Sequence, residues 1–316
     1  MSNNNFFSSV KPNSARKISI ILNYFDYWLK KNSKAKELYY VDLFCGPRVY
    51  DNGEKSTPIL ILEKILKNKK VAGKFNIIFN DKNKNYMHKL EREVLQLGNI
   101  AHLKSLKFSS QEVGKVSLFP NLDGQYGFVI LDPWGYKGLS SNQIKNLVKN
   151  KNVELVFLFS FNQLYRFLKF KGIDHHLLNL FSKKSLKRIR NKIEQAENKE
   201  IFLLENLMKN MVDKRGNYLC YRFKFENQNK TSHFLIFLNH DNKARLALLD
   251  VFINQEDGFI SEVEILQTFM SRDKNTNSSC FVLFGVIKYI NKLVKGLKHV
   301  IKYRMDGNNL ESDYRL

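Results

Sequence analysis

At 316 residues the chain exceeds a typical single domain of about 100–200 residues, and 43% hydrophobic content with 25 Phe and 14 Tyr is enough for a sizeable core. Lys and Arg number 52 against 30 Asp and Glu, a formal net charge of +22, which favours a polyanionic partner, nucleic acid (DNA or RNA) above all. The same Lys-, Asn-, Ile- and Phe-rich composition is also what an AT-rich genome produces without selection for binding.

Residues 1–12 read as a flexible arm, too polar for a signal peptide. Asn13-Ser14 can cap a helix running to about residue 31, on which Ile18, Ile21, Leu22, Phe25 and Leu29 recur at three- and four-residue steps. The stretch YYVDLFCGPRVY, residues 39–50, opens as a strand of aromatic and β-branched residues with Asp42 inside the run, and breaks at Gly46-Pro47. Asp51-Asn52-Gly53 is turn-forming, and Ser56-Thr57-Pro58 starts a helix carrying Ile59, Leu62, Ile65 and Leu66. Residues 75–79 form a second strand that ends at Asn80-Asp81. There follow a helix over 84–97, a strand over 100–106, a short helix near 111–118, a strand over 126–131, a helix over 141–149 and an apolar, central strand over 153–160. Five strands alternating with helices predict an α/β fold with a Rossmann-like, doubly wound and mostly parallel sheet.

Residues 161–215 read as a basic helical insertion. Strands over 218–225 and 232–240 are so close in sequence that they must form an antiparallel hairpin. A parallel sheet closed by such a hairpin is the class I methyltransferase arrangement, distinct from all-parallel dinucleotide folds. Helices over 262–271 and 280–296, a strand over 299–303 and a turn over 306–308 suggest a winged-helix-like piece or a helical appendage. The expected domains are therefore 13–256 and 257–316. No apolar run approaches the roughly 18 residues needed to span a bilayer. Cys45, Cys220 and Cys280 form no CxxC pair, which argues against a disulfide framework or zinc knuckle and for a reducing cytoplasm.

A strand ending in a glycine turn before a helix brings backbone close to a nucleotide-like ligand, so residues 39–50 read either as an S-adenosylmethionine loop or as an ordinary buried strand and turn. In the first case Asp42 orients the turn or reaches the ligand's ammonium, Gly46 lets backbone approach, and Pro47 stiffens the turn. Phe44 and Lys82 complete that expected cofactor set. Arg48 stands where many such loops have a second glycine and offers a cation to a carboxylate or phosphate. Asp81, 35 positions after Gly46, either accepts both ribose hydroxyls or serves only as a strand-end turn residue. Asp132-Pro133-Trp134-Gly135-Tyr136 resembles the [DN]PP[YF] loop of amino-methyltransferases: Asp132 and the Pro133 carbonyl would accept from a target amine, and Trp134 or Tyr136 would stack on its base or merely pack the loop. Asn162 could contact substrate, and Arg166 a phosphate or only solvent. Lys183, Lys184, Lys187, Arg188 and Arg190 would hold phosphates. The histidines show no metal-binding spacing, and no cysteine follows a proline, which disfavours cytosine C5 chemistry.

The pieces VDLFCGPRVY followed by STP, IIFNDKN, FVILDPWGYKG, FSFNQLYRF and SHFLIFLNH, in this order, resemble the three-Cys-motif partner proteins. That family has a fuller GPGR-like loop and usually Phe where Trp134 stands. The resemblance implies a methyltransferase-like fold with its cofactor loop at residues 42–47 and at Asp81. It also implies a bacterial protein encoded beside a three-Cys-motif protein, often in mobile or antiviral defence neighbourhoods. The expected function is S-adenosylmethionine-dependent methylation of nucleic acid at a base amine or another base or sugar position. The alternative is an inactive methyltransferase-like module that binds nucleic acid or a partner.

Overall fold

The computed structural model describes residues 12–46, 53–114, 120–133, 139–170, 172, 174–211, 217–224, 231–253, 303–306 and 309–312. The chain divides into two units, Met1–Val251 and Phe252–Leu316.

In the first unit, α1 (Pro12–Lys31) leads into β1 (Leu38–Asp42), α2 (Thr57–Leu66), α3 (Lys69–Ala72), β2 (Phe75–Asn80), α4 (Lys84–Gln96), β3 (Ser105–Ser109) and β4 (Tyr126–Leu131). Then come α5 (Ser141–Lys149), β5 (Val153–Phe159), α6 (Phe161–Lys169), α7 (Asp174–Leu180), α8 (Lys183–Lys192), α9 (Lys199–Met211), β6 (Asn217–Lys224), β7 (Thr231–Asn239) and α10 (Asn242–Ile253). Short polar side chains set several helix starts: Asn83 accepts from the N–H groups of Asn85 and Tyr86 at α4, Ser140 from Asn142 at α5, and Ser182 from Ser185 at α8. Pro58 sits in the first turn of α2, where its missing N–H costs nothing.

The seven strands form one sheet in the order β3-β2-β1-β4-β5-β7-β6. β1 to β5 are mutually parallel. β7 runs antiparallel to both β5 and β6. The expected α/β, Rossmann-like class I methyltransferase sheet is therefore what forms, and the second strand of the late hairpin is the one that inserts beside β5.

Strand alternation divides the core in two. Val129, Leu131, Leu155, Phe157, Phe159, Ile236 and Leu238 point to the face covered by α5 to α9. Tyr40, Phe75, Phe128 and Phe237 point to the opposite face, where they meet Tyr24, Phe25 and Trp28 of α1. Phe25 stands edge-on to Phe128 with centroids 5.1 Å apart, and Trp28 lies 5.5 Å from the same ring. Trp28→Ala would empty the middle of this cluster. An expected loss of about 3–5 kcal/mol is measurable by denaturant unfolding, whereas a loss below about 1 kcal/mol would show that α1 is not packed this way.

A Cβ on Gly127 in β4 would stand 2.9 Å from Leu122 Cδ1 and 3.3 Å from Val153 Cγ2, so a larger residue there would make the Leu122 side chain shift.

Several element boundaries differ from expectation. β1 stops at Asp42, so this carboxylate ends the strand and does not sit inside it. Residues 100–102 form a 3-10 turn, and the third strand begins only at Ser105. Residues 111–114 are not helical. α10 was not anticipated. In the second unit, β8 (Tyr303–Asp306) and β9 (Asn309–Ser312) pair antiparallel around the expected turn. The expected helices over 262–271 and 280–296 lie outside the described residues. Among the described residues, no helix is long and apolar enough to cross a membrane.

Candidate cofactor and acceptor site

Strand order reverses between β1 and β4, since β2 and β3 lie to one side of that line and β5 to the other. In open α/β sheets the crevice beyond the carboxyl ends at such a point is where ligands bind. Three carboxylates gather there: Asp42 at the end of β1, Asp81 just after β2 and Asp132 just after β4. Asp81 and Asp132 are close enough to raise the pKa of Asp42 by like-charge repulsion.

The loop after β1 is held by its neighbours. The Phe44 N–H donates to Asp42 Oδ1 at 3.1 Å, and the Tyr40 hydroxyl to Oδ2 at 3.5 Å. Asn80 is fully buried at the end of β2. Its Nδ2 donates to the carbonyls of Leu43 and Gln111, each at 3.1 Å, and its Oδ1 accepts from the Gln111 N–H. One amide thus clamps the loops after β1 and β3 together. The Cys45 N–H reaches the Asn80 carbonyl at 3.0 Å. The Cys45 thiol is buried, which pushes its pKa well up, with Asp42 adding to the rise. That is the opposite of a nucleophile's environment.

Gly46 follows with φ +64°, a left-handed conformation that disfavours any side chain. Its N–H donates to Asp81 Oδ2 at 3.0 Å, while Asp81 Oδ1 accepts from the Asn83 N–H at 2.8 Å. A Cβ built on Gly46 would meet none of the described residues within 4 Å, so among them the backbone here lies beside open space. Among the described residues each Asp81 oxygen takes one N–H, which leaves a second lone pair on each. This donor set fits S-adenosylmethionine: a bare glycine backbone for the methionine part, and a half-exposed carboxylate for the ribose hydroxyls.

Burial, more than any neighbour, raises Asp42 from 3.8 to about 7. The Phe44 N–H and Lys17 oppose that rise, and Asp132 and Asp81 add to it. Between those two pH values the folded state binds more protons than the unfolded one, so stability falls as pH climbs from about 4 and levels off above about 7. Asp42→Asn abolishes the titration while keeping an acceptor for Phe44. The stability of the variant relative to wild type should rise by roughly 3–4 kcal/mol between pH 4 and pH 8. A difference that stays flat over this range would contradict the assignment.

At the acceptor side, the Lys17 Nζ of α1 lies 2.5 Å from Asp132 Oδ2. His233, near the start of β7, is close enough to feel both charges. Burial, then the Lys17 charge, lowers its pKa to about 4 against a smaller pull from Asp132, so the imidazole is neutral at physiological pH. Its Nδ1 lies 2.9 Å from Ser232 Oγ. Neither Lys17 nor His233 was singled out in the sequence. Both needed the topology: α1 must run antiparallel to the strands, and β7 must start where β5 ends.

The remaining expected residues fall as follows. Pro47, Arg48, Trp134 and Tyr136 lie outside the described residues. Pro133 is half-buried beside Asp132, Phe44 packs on the core, and Lys82 is exposed. Asn162 is half-buried and Arg166 exposed on α6. Lys183, Lys184 and Lys187 are exposed on α8, without an ion pair among the described residues. Arg190 instead grips Asp174 with both terminal nitrogens and donates Nε to the Leu168 carbonyl. Arg188 donates to the Asn206 side chain. The structure thus gives both arginines a bracing role between helices. Among the described residues, no group of three or more His, Cys, Asp or Glu could hold a metal.

No protein-family model matches the chain, and no curated protein does. Among solved structures it is similar to a Legionella pneumophila protein described as family DUF519, with 13% identity and a TM-score of 0.44 over 77% of this chain and 93% of that one. It is also similar to an rRNA methylase from Streptococcus thermophilus, at 10% identity and a TM-score of 0.35 over 73% and 96% of the two chains. A SAM-dependent methyltransferase from Methanosarcina mazei matches at 14% identity and a TM-score of 0.33 over 66% and 95%. These likenesses are loose, and it is the strand order and strand-end chemistry of this chain that bear on its activity.

Proposed function

We propose that the protein is an S-adenosylmethionine-dependent methyltransferase acting on nucleic acid. One observation carries this reading. At the switch point of the sheet, a left-handed glycine with open space above it is held by the carboxylate of the next strand, which keeps lone pairs in reserve. Asp81 and the backbone around Gly46 would hold the donor, with Asp42 shaping the loop and Pro47, Phe44 and Lys82 flanking it. When bound, S-adenosylmethionine supplies a methyl group already activated on sulfonium. The protein's task is then alignment. Asp132 and the Pro133 carbonyl would accept N–H bonds from an acceptor amine and turn its lone pair toward the methyl. Asp132 or water would receive the proton that the nitrogen gives up once it is methylated.

Nucleic acid as acceptor is supported by the net charge of +22 and by the exposed Lys183, Lys184 and Lys187 of α8. The ordered motifs from residue 39 to residue 240 support kinship with the three-Cys-motif partner proteins, and with it a cytoplasmic, bacterial setting beside a three-Cys-motif protein in a mobile or defence neighbourhood. Two measurements test the function together: calorimetry with S-adenosylmethionine, and mass spectrometry of nucleosides from cells with and without the protein. Saturable heat and one additional methylated nucleoside are expected. Salt-dependent binding of RNA or DNA with neither result would identify a non-catalytic binding module instead.

A further inference from the structure

Lys17, Ile21, Tyr24 and Trp28 follow one another at steps of four, three and four residues, so they share one face of α1. Ile21, Tyr24 and Trp28 are buried against the sheet, and the position that continues their stripe is a lysine. At about 1.5 Å per residue, Lys17 lies about 10 Å along the helix axis from Tyr24, level with the strand ends. The far end of the helix is tied down independently. The Tyr24 hydroxyl donates to Glu154, and the Lys31 Nζ lies 3.1 Å from Glu154 Oε1 and 2.7 Å from Asp241 Oδ2. Strand alternation places Asp42, Asp132 and His233 on the same face as α1. The Lys17 side chain is only 17% exposed, against 31% for Asp132, so this is no loose surface pair. Among the described residues, Asp132 Oδ2 takes Lys17 and Oδ1 takes no donor.

We propose that Lys17 is a positioning residue of the acceptor site: its ammonium fixes the Asp132 carboxylate through Oδ2 and leaves Oδ1 to receive the N–H of the acceptor. The proposal rests on the methyl-transfer reading above. A rigid helix latched at its other end is a better clamp than a mobile loop, because small misplacements of a reacting group cost large factors in rate. The neutral imidazole of His233 completes the corner, since a protonated ring there would compete for the same carboxylate.

The test uses the full chain, tritiated S-adenosylmethionine, and total RNA and DNA from cells lacking the protein as acceptors. Lys17→Met should lower kcat about 30- to 100-fold, with acceptor KM and S-adenosylmethionine affinity within about threefold of wild type. Lys17→Arg should recover at least about tenfold of that loss. In an Asp132→Asn background, Lys17→Met should cost less than about threefold more, because Lys17 acts through Asp132. NMR titration of the His233 ring gives a readout independent of turnover: Lys17→Met should move its midpoint upward. Wild-type transfer with undiminished or faster transfer by Lys17→Met would overturn the proposal and leave the function standing. An unchanged His233 midpoint would also overturn it, by showing that the ammonium is not there. Absence of both cofactor binding and transfer in wild type would remove the function and this proposal together.

Discussion

Asp81→Ala is expected to weaken S-adenosylmethionine binding by roughly 150-fold, the loss of two hydrogen bonds to a charged acceptor at roughly 1.5 kcal/mol each. The residue has two tasks that reinforce each other. Its oxygens hold the N–H groups of Gly46 and Asn83, which shapes the cradle, and their second lone pairs would take the ribose hydroxyls. Truncation therefore removes ligand contacts and also frees the Gly46 turn. Asp81→Asn keeps one acceptor oxygen and should fall between the two. Calorimetry reads the effect directly, and circular dichroism with denaturant unfolding confirms that the variant folds. Affinity within about threefold of wild type for Asp81→Ala would mean that the ligand, if it binds, lies elsewhere.

Asp132→Ala is the second large effect. If Asp132 orients the acceptor as proposed, its loss should lower turnover about 100- to 1,000-fold, while S-adenosylmethionine affinity stays within about threefold. That split would separate Asp132 from Asp81, one acting on the acceptor and the other on the donor. Asp132→Asn retains an acceptor oxygen but loses the ion pair with Lys17, so it should keep some of the activity that Ala loses. Equal losses in affinity and turnover for Asp132→Ala would place the residue in the cofactor cradle and undo the division of roles.

Much of this was legible in the sequence, for identifiable reasons. β4 and α5 took their expected bounds because each is an unbroken apolar pattern between clear turn residues. The antiparallel hairpin followed from the short separation of its strands. The third strand was misplaced because SLKFS, at the edge of the sheet, is only half-covered and carries a weak pattern, while the more apolar Ile100 drew the assignment forward. β1 was drawn too long because Leu43 and Phe44 look like strand. The Leu43 N–H still reaches the Ile130 carbonyl of β4, but the Phe44 N–H goes to Asp42 Oδ1, and the chain turns. Asp81 and Asp132 were visible as acids at strand ends. Lys17 was half-visible, as a lysine where the stripe of α1 calls for an apolar residue, but nothing in the sequence says which strand end that stripe overhangs. Arg188 and Arg190 looked like phosphate ligands because charge runs do not reveal the partners that folding supplies from α7 and α9.

Hydrogen–deuterium exchange of the full chain with and without saturating S-adenosylmethionine is the most direct test of where the donor lies. Slower exchange should appear at residues 43–46 and 81–86, the two stretches joined by Gly46 and Asp81, and leave α8 unchanged. Unaltered exchange at both stretches, or protection confined to another part of the chain, would contradict a donor seated at the switch point of the sheet.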